Sequence, residues 1–410
     1  MGKDLFLIVD YGASLTHTHH GSSIAAFVSL AKQHQWSYRV LIPKDSLLAA
    51  SDLGCSATEL LYCLLPSSHR APFLKGKVNS YYSLSFDKFA RFSFKTKQTW
   101  VLKLLGEIVA RKLIGLIDLL ARQSEAGRVT LLFPTACPVA VFTSELLNEK
   151  LLKKIPIVKL LCLRLTNTAE NRGPFRHIAS IPKVIESSKN SSRIRIGFEM
   201  KEYASSFNLS SFDYYHSPFP FVRPSSDLPK YTESKIKVTF SFLGFPKTIK
   251  GVEEIFRIIT QVNQNFSQRI DWIVQLSGSE KNLIERLRLE GNVKLLIGKL
   301  SSEVLRENIE NSEFLVLPYN VIDYKKNASA MAYQAADHYK PTITLDGSAF
   351  AEEIKLFSVG LVCESIEDLI DGIAKTIQDQ ALSRSFKSNI QVYNSYRVSS
   401  NFDFLGIGQK

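Results

Sequence analysis

A chain of 410 residues is too long for one ordinary hydrophobic core and suits two domains. With 45% apolar and 22% charged residues the composition is that of a soluble globular protein, and a formal net charge of +12 favours anionic partners: nucleotide phosphates, an anionic glycan, a membrane surface or nucleic acid. The five cysteines, Cys55, Cys63, Cys137, Cys162 and Cys363, are odd in number and include no Cys-x-x-Cys pair, which speaks against a disulfide framework or zinc site and for reduced thiols. The first element is a strand over 5–9, too short for the apolar core of a signal peptide. A polar loop over 10–21 follows, with Ser14, Thr16, His17, Thr18, His19 and His20. A helix is expected from about Ser22, because Ile24, Phe27, Val28 and Ala31 recur at helical spacing. A strand over 38–42 ends at Pro43, and strand, helix, strand with short connections reads as a parallel βαβ unit. Further strands are expected over 129–133 and 157–165.

Between Lys75 and Lys103, aromatic residues (Tyr81, Tyr82, Phe86, Phe89, Phe92, Phe94, Trp100) alternate with lysines and Arg91. No nucleic-acid signature accompanies them, so no specific nucleic-acid partner is expected. They read equally as core aromatics between solvated lysines or as a surface facing an anionic membrane or an acceptor. The apolar stretch 101–121 carries Lys103, Glu107, Arg111, Lys112 and Asp118, too many charges for a lipid-exposed span. A cytoplasmic protein is expected, with peripheral contact at the inner face of the membrane as an option.

A break rich in proline and serine lies between Pro218 and Pro229. It suggests an N-terminal domain over 1–217, a linker over 218–235, a second domain over 236–380 and a C-terminal segment over 381–410 that packs back on the first. After the break, strands are expected over 238–243, 272–276, 293–297, 314–317, 342–345 and 360–362. Helices with clear apolar faces or caps separate them. Six strands alternating with helices make a doubly wound parallel sheet. The whole chain is therefore expected to be α/β, with two Rossmann-like domains facing each other across a cleft.

In such a sheet ligands bind beyond the carboxyl ends of the strands. Three loops of the second half fall there: 244–251, 318–328 and 346–348. Lys247, Lys250 and Lys326, with helix N-termini behind the loops, form a cradle suited to a diphosphate. His17, His19 and His20 match no usual zinc spacing. They read as a polar loop beside the turn at Gly21, and His19 or His20 is the candidate for assisting proton transfer.

These residues also carry a resemblance. Phe242-Leu243-Gly244 with Lys250-Gly251-Val252 resembles the strand, loop and helix that open the donor domain of GT-B glycosyltransferases, bacterial retaining members in particular. Pro318-Tyr319, Tyr324, Ser329, Gln334 and Lys340-Pro341-Thr342-Ile343 resemble the second signature of that family. The resemblance implies a nucleotide-sugar donor, no metal and no separate cofactor, with a glycan or lipid-linked acceptor. It assigns donor binding to Lys250, Gly251, Tyr324, Ser329, Gln334 and Glu353, and their loop positions add Gly21 and Lys247 to the donor-binding candidates. The chain departs from the family where paired glutamates stand eight residues apart, because Lys326 and Gln334 occupy those places. Phe245 likewise stands where an arginine is frequent. These departures sustain a rival, a GT-B-like binding or scaffold subunit without catalysis. A nucleotide-sugar epimerase of the same fold would need a carboxylate cluster that the sequence lacks.

Overall fold

The computed structural model describes residues 3–10, 19–43, 46, 48–63, 110–111, 113–120, 122–123, 126–135, 158–165, 193–207, 214–220, 237–244, 250–325 and 327–407. The chain divides into two compact units, Met1–Val222 with Arg397–Lys410, and Arg223–Tyr396. The lysine- and aromatic-rich stretch from Lys75 to Lys103 lies outside the described residues. Among the described residues no helix is long and apolar enough to cross a membrane.

The first unit contains β1 (Lys3–Val9), α1 (His19–Gln33), β2 (Ser37–Pro43), β3 (Leu60–Cys63), β4 (Ala126–Phe133), β5 (Val158–Leu165), β6 (Ile194–Phe198) and β7 (Tyr215–His216). The strands pair in parallel in the order β3-β2-β1-β4-β5-β6-β7. Leu5 to Val9 are all buried, as a continuous apolar run requires when both faces of a parallel sheet are covered. Helix α1 lays Ile24, Phe27, Val28 and Ala31 on Phe6, Ile8 and Val40. It begins at His19, three residues before the expected start, so His19, His20 and Gly21 form its first turn rather than a loop. The apolar spacing that marks the helix begins only at Ile24, which is why its polar first turn reads as loop.

Arg164, fully buried on β5, ties the carboxyl ends of this sheet together. Its Nε donates to the Ser217 carbonyl (2.8 Å), one terminal nitrogen to the Pro134 carbonyl (3.1 Å) and the other to Glu199 (2.9 Å).

The second unit contains β8 (Val238–Phe242), α2 (Val252–Phe266), β9 (Ile270–Leu276), α3 (Lys281–Arg288), β10 (Val293–Ile297), α4 (Ser302–Asn311), β11 (Phe314–Leu317), α5 (Val321–Tyr324), α6 (Ala330–Asp337), β12 (Thr342–Leu345), α7 (Ala349–Phe357), β13 (Gly360–Cys363) and α8 (Ile366–Gln378). Its six strands run parallel in the order β10-β9-β8-β11-β12-β13. Phe240, Trp272, Phe314 and Ile343 of the sheet pack on Ile255, Ile259 and Val262 of α2 and on Leu369 and Ile373 of α8. Helix starts are fixed by side-chain caps: Ser301 accepts from the Val304 N–H and Ser365 from the Asp368 N–H.

The segment after 380, whose sequence shows only weak periodicity, is one helix, α9 (Gln380–Leu405). Phe386 belongs to the core of the second unit, while Phe404 and Leu405 belong to that of the first. A helix that buries side chains in two cores in succession has no single apolar face, so its period is blurred.

Candidate functional site

The strand order of the second unit reverses between β8 and β11, and the loops leaving these two strands meet there. Gly251 makes the meeting possible. It has φ +73° as the N-cap of α2, and a Cβ on it would lie 2.0 Å from the Pro318 carbonyl oxygen beyond β11. No side chain fits, so the start of α2 is seated directly on the turn that follows β11. Helix α2 carries no side-chain cap, which leaves the N–H groups of its first turn pointing to the same edge. Their partial positive charge favours an anion, although Glu253 and Glu254 lie in that turn.

Lys250 supplies the full charge. Its Nζ lies 5.7 Å from the centroid of the Tyr319 ring, a cation–π distance, and 3.2 Å from where a Gly244 Cβ would be. Gly244 has φ +94° and is packed closely under Met331 of α6. Tyr319, Tyr324 and Phe350 form an aromatic cluster, with the two tyrosine rings 4.5 Å apart and Phe350 set edgewise to both. Burial pushes the Tyr324 phenol up to about 12, with Asp323 acting in the same direction, so it stays protonated at neutral pH. Burial raises the Tyr319 phenol as well, and the neighbouring Ser329 hydroxyl opposes that shift.

Ser329 is buried as the N-cap of α6, its hydroxyl accepting from the Ala332 N–H at 3.2 Å. Gln334 lies on the same helix, with its Oε1 buried and without a hydrogen-bond partner. In the third loop Gly347 has φ +84° and donates its N–H to Asp346 (2.7 Å). Asp346 is held below the usual carboxylate range, first by the hydrogen bond from Lys355 and then by that N–H.

The expected donor residues therefore separate into groups. Lys250, Gly251 and Tyr324 converge at the switch point, with Ser329 beside Tyr319. Glu353, on α7, accepts a hydrogen bond from the Tyr393 hydroxyl of α9. His19, His20 and Gly21 lie in the first unit, on the helix that follows β1 as α2 follows β8. Lys247, Phe245, Lys326 and His17 lie outside the described residues. Two features of the site go beyond the sequence reading. One is the four-residue helix α5, capped by Asn320, which accepts from the Ile322 and Asp323 N–H groups. The other is Gln275 of β9, whose Oε1 accepts from the Gly244 N–H at 2.9 Å. A lone polar residue inside the apolar run 272–276 is the available signal for Gln275.

No protein-family model matches this sequence, and no curated protein matches it. Solved structures do match, over nearly the whole chain. WaaG, a glycosyltransferase involved in lipopolysaccharide biosynthesis, is 15% identical with a TM-score of 0.52, covering 99% of this chain and 100% of its own. A glycosyltransferase from Rickettsia africae is 10% identical with a TM-score of 0.58, over 99% and 96%. Anabaena Alr3699/HepE, in complex with UDP, is 11% identical with a TM-score of 0.58, over 99% of each chain. At these identities the likeness is one of fold. It joins the two parallel sheets and the order of their strands in a single conclusion: this chain has the fold of the GT-B glycosyltransferases.

Proposed function

We propose that this protein is a glycosyltransferase that moves a sugar from a nucleotide-sugar donor to a glycan or lipid-linked acceptor, without a cofactor. The observation that carries the reading is the seating of Gly251 on Pro318, which sets Lys250 and an uncapped helix start together at the switch point. A diphosphate placed there would meet a fixed cation and free N–H groups. Both act on the leaving-group charge as the glycosidic bond breaks, an electrostatic contribution that needs no rearrangement of the site. Gln334 offers a buried acceptor for a donor hydroxyl. His19 or His20 remains the candidate for the acceptor proton. Retention of anomeric configuration and peripheral contact with an anionic membrane belong to the same reading.

Lys250→Ala tests the donor assignment. Removing one partner of a charge-assisted contact costs about 1.5–3 kcal/mol, roughly ten- to a hundredfold in affinity. Titration calorimetry with UDP, GDP and ADP is expected to show that loss, with an unchanged circular dichroism spectrum. Equal affinity in parent and variant would overturn the assignment.

The uncharged Gln334 supports a second reading, a subunit that binds nucleotide without transferring sugar. Gln334→Glu separates the two. An active enzyme should keep or improve donor affinity and turnover, whereas a binding subunit should show no transfer or donor hydrolysis in either form.

A further inference from the structure

Gln275 is almost fully buried, at 2% exposure, near the carboxyl end of β9, the second strand from one edge of the sheet of the second unit. Its neighbours on β9, Trp272, Ile273, Val274 and Leu276, are all apolar and buried. An apolar side chain would serve the sheet there equally well, since both faces of a parallel strand are covered. A buried amide is favourable only if both of its ends are hydrogen-bonded, and here both are. Oε1 accepts from the Gly244 N–H at 2.9 Å, and Nε2 donates to the Gly298 carbonyl at 2.8 Å. Gly244 follows β8 and Gly298 follows β10, so one side chain ties the exits of three adjacent strands.

Both tied residues are in the left-handed region, Gly244 at φ +94° and Gly298 at φ +86°, where the backbone has several alternatives and needs holding. Gly244 is also the residue against which Lys250 rests, its missing Cβ lying 3.2 Å from Nζ. We propose that Gln275 is a positioning residue for nucleoside-diphosphate binding, acting through the Gly244 turn on the place of the Lys250 ammonium. The proposal rests on the donor-site reading above and adds to it the element that keeps the cradle in shape while the site is empty.

The experiment uses the full chain, with UDP and GDP as probes. Gln275→Met keeps the volume and apolar packing but removes both hydrogen bonds. It is expected to weaken nucleotide binding about tenfold and to speed amide hydrogen exchange at Gly244 by at least a similar factor. Gln275→Glu supplies a readout that packing alone would not move. As a carboxylate it still accepts from Gly244 but cannot donate to the Gly298 carbonyl; protonated, it does both. Its affinity relative to the parent should therefore be low at pH 8 and recover towards pH 5, with the nucleotide's own titration cancelling in the ratio. A methionine variant with parental affinity and parental exchange at Gly244 overturns the proposal, as does a glutamate variant whose relative affinity ignores pH. Should the parent bind neither nucleotide, the donor-site reading falls and the ligand half of this proposal with it. Exchange at Gly244 in the methionine variant then decides alone whether Gln275 sets the turn.

Discussion

Gly251 and Tyr339 share a backbone conformation, φ +73° and +56°, but only one of them is suited to it. A side chain in the left-handed region costs roughly 1–2 kcal/mol. At Gly251 an added Cβ would also overlap the Pro318 carbonyl, so Gly251→Ala must push the start of α2 away from β11. A loss above about 2 kcal/mol is expected, with nucleotide binding lost even where the variant still folds; parental stability and binding would show that the two loops do not need their contact. Tyr339 follows the C-terminus of α6 and closes its turn by donating its N–H to the Ala336 carbonyl at 3.1 Å. Glycine is the usual residue at such a position. Tyr339→Gly should therefore stabilise the protein by about 0.5–1 kcal/mol, part of the gain being offset by loss of a half-buried ring. Thermal unfolding measures it: a lower midpoint would mean that the ring's packing outweighs the backbone strain.

At the scale of elements, what the sequence disclosed follows how each element is buried. The strand β11 was legible because a continuous apolar run marks a strand covered on both faces, while β8 and β12 interleave their apolar residues with threonine or serine and β9 keeps a core of Trp272, Ile273 and Val274. The helix α2 was legible from its apolar stripe, and α4 and α8 from their Ser301 and Ser365 caps. By contrast β6 contains Gly197, whose place is set by Phe404 and Ser217: a Cβ there would lie 2.7–2.8 Å from both. The Phe404 part of that constraint comes from α9, some two hundred residues away in sequence, and leaves no local signal. Of the candidate site, the Lys250-Gly251 pair was readable from its motif, whereas Gln275 is defined by partners on two other loops. Arg164 illustrates the same limit within β5. It looks like a misplaced charge in an apolar strand, yet it is fully buried and closes the ends of the first sheet through Pro134, Glu199 and Ser217. Arg164→Met would leave Glu199, itself only 13% exposed, without this partner, and would free two carbonyls. Breaking a buried pair in this way costs about 3–5 kcal/mol. Chemical denaturation should report a loss of that order in the first unit; a change below about 1 kcal/mol would show that water replaces the arginine.

At the scale of the molecule, the first unit is completed by the last residues of the chain. Phe404 and Leu405 have no exposed surface and sit in one core with Ile8, Phe27 and Val40. Cys162 on β5 and Arg397 on α9 hold the same region to the main chain: Cys162 Sγ meets the Phe404 carbonyl at 3.6 Å, and Arg397 Nε donates to the Phe219 carbonyl at 3.0 Å. Asn401 donates to the Pro218 carbonyl at 3.1 Å and accepts from the Ser217 hydroxyl at 2.8 Å. A chain ended after Tyr396 would lose all of these. Burying a large apolar side chain is worth about 1.5–3 kcal/mol, so Phe404 and Leu405 alone account for roughly 3–6 kcal/mol before any hydrogen bond is counted. That is comparable with the total stability of an ordinary domain, about 5–15 kcal/mol. The second unit keeps its own core around Phe240, Trp272 and Ile259 and loses nothing from it. In the truncated chain the first unit should therefore unfold more easily than the second. Limited proteolysis is expected to digest the first unit and to spare a fragment beginning near Val238, and that fragment should retain nucleotide affinity if the donor site lies wholly within it. A truncated chain that resists protease throughout and melts in a single transition at the parental temperature would show that the first unit folds without its C-terminal residues.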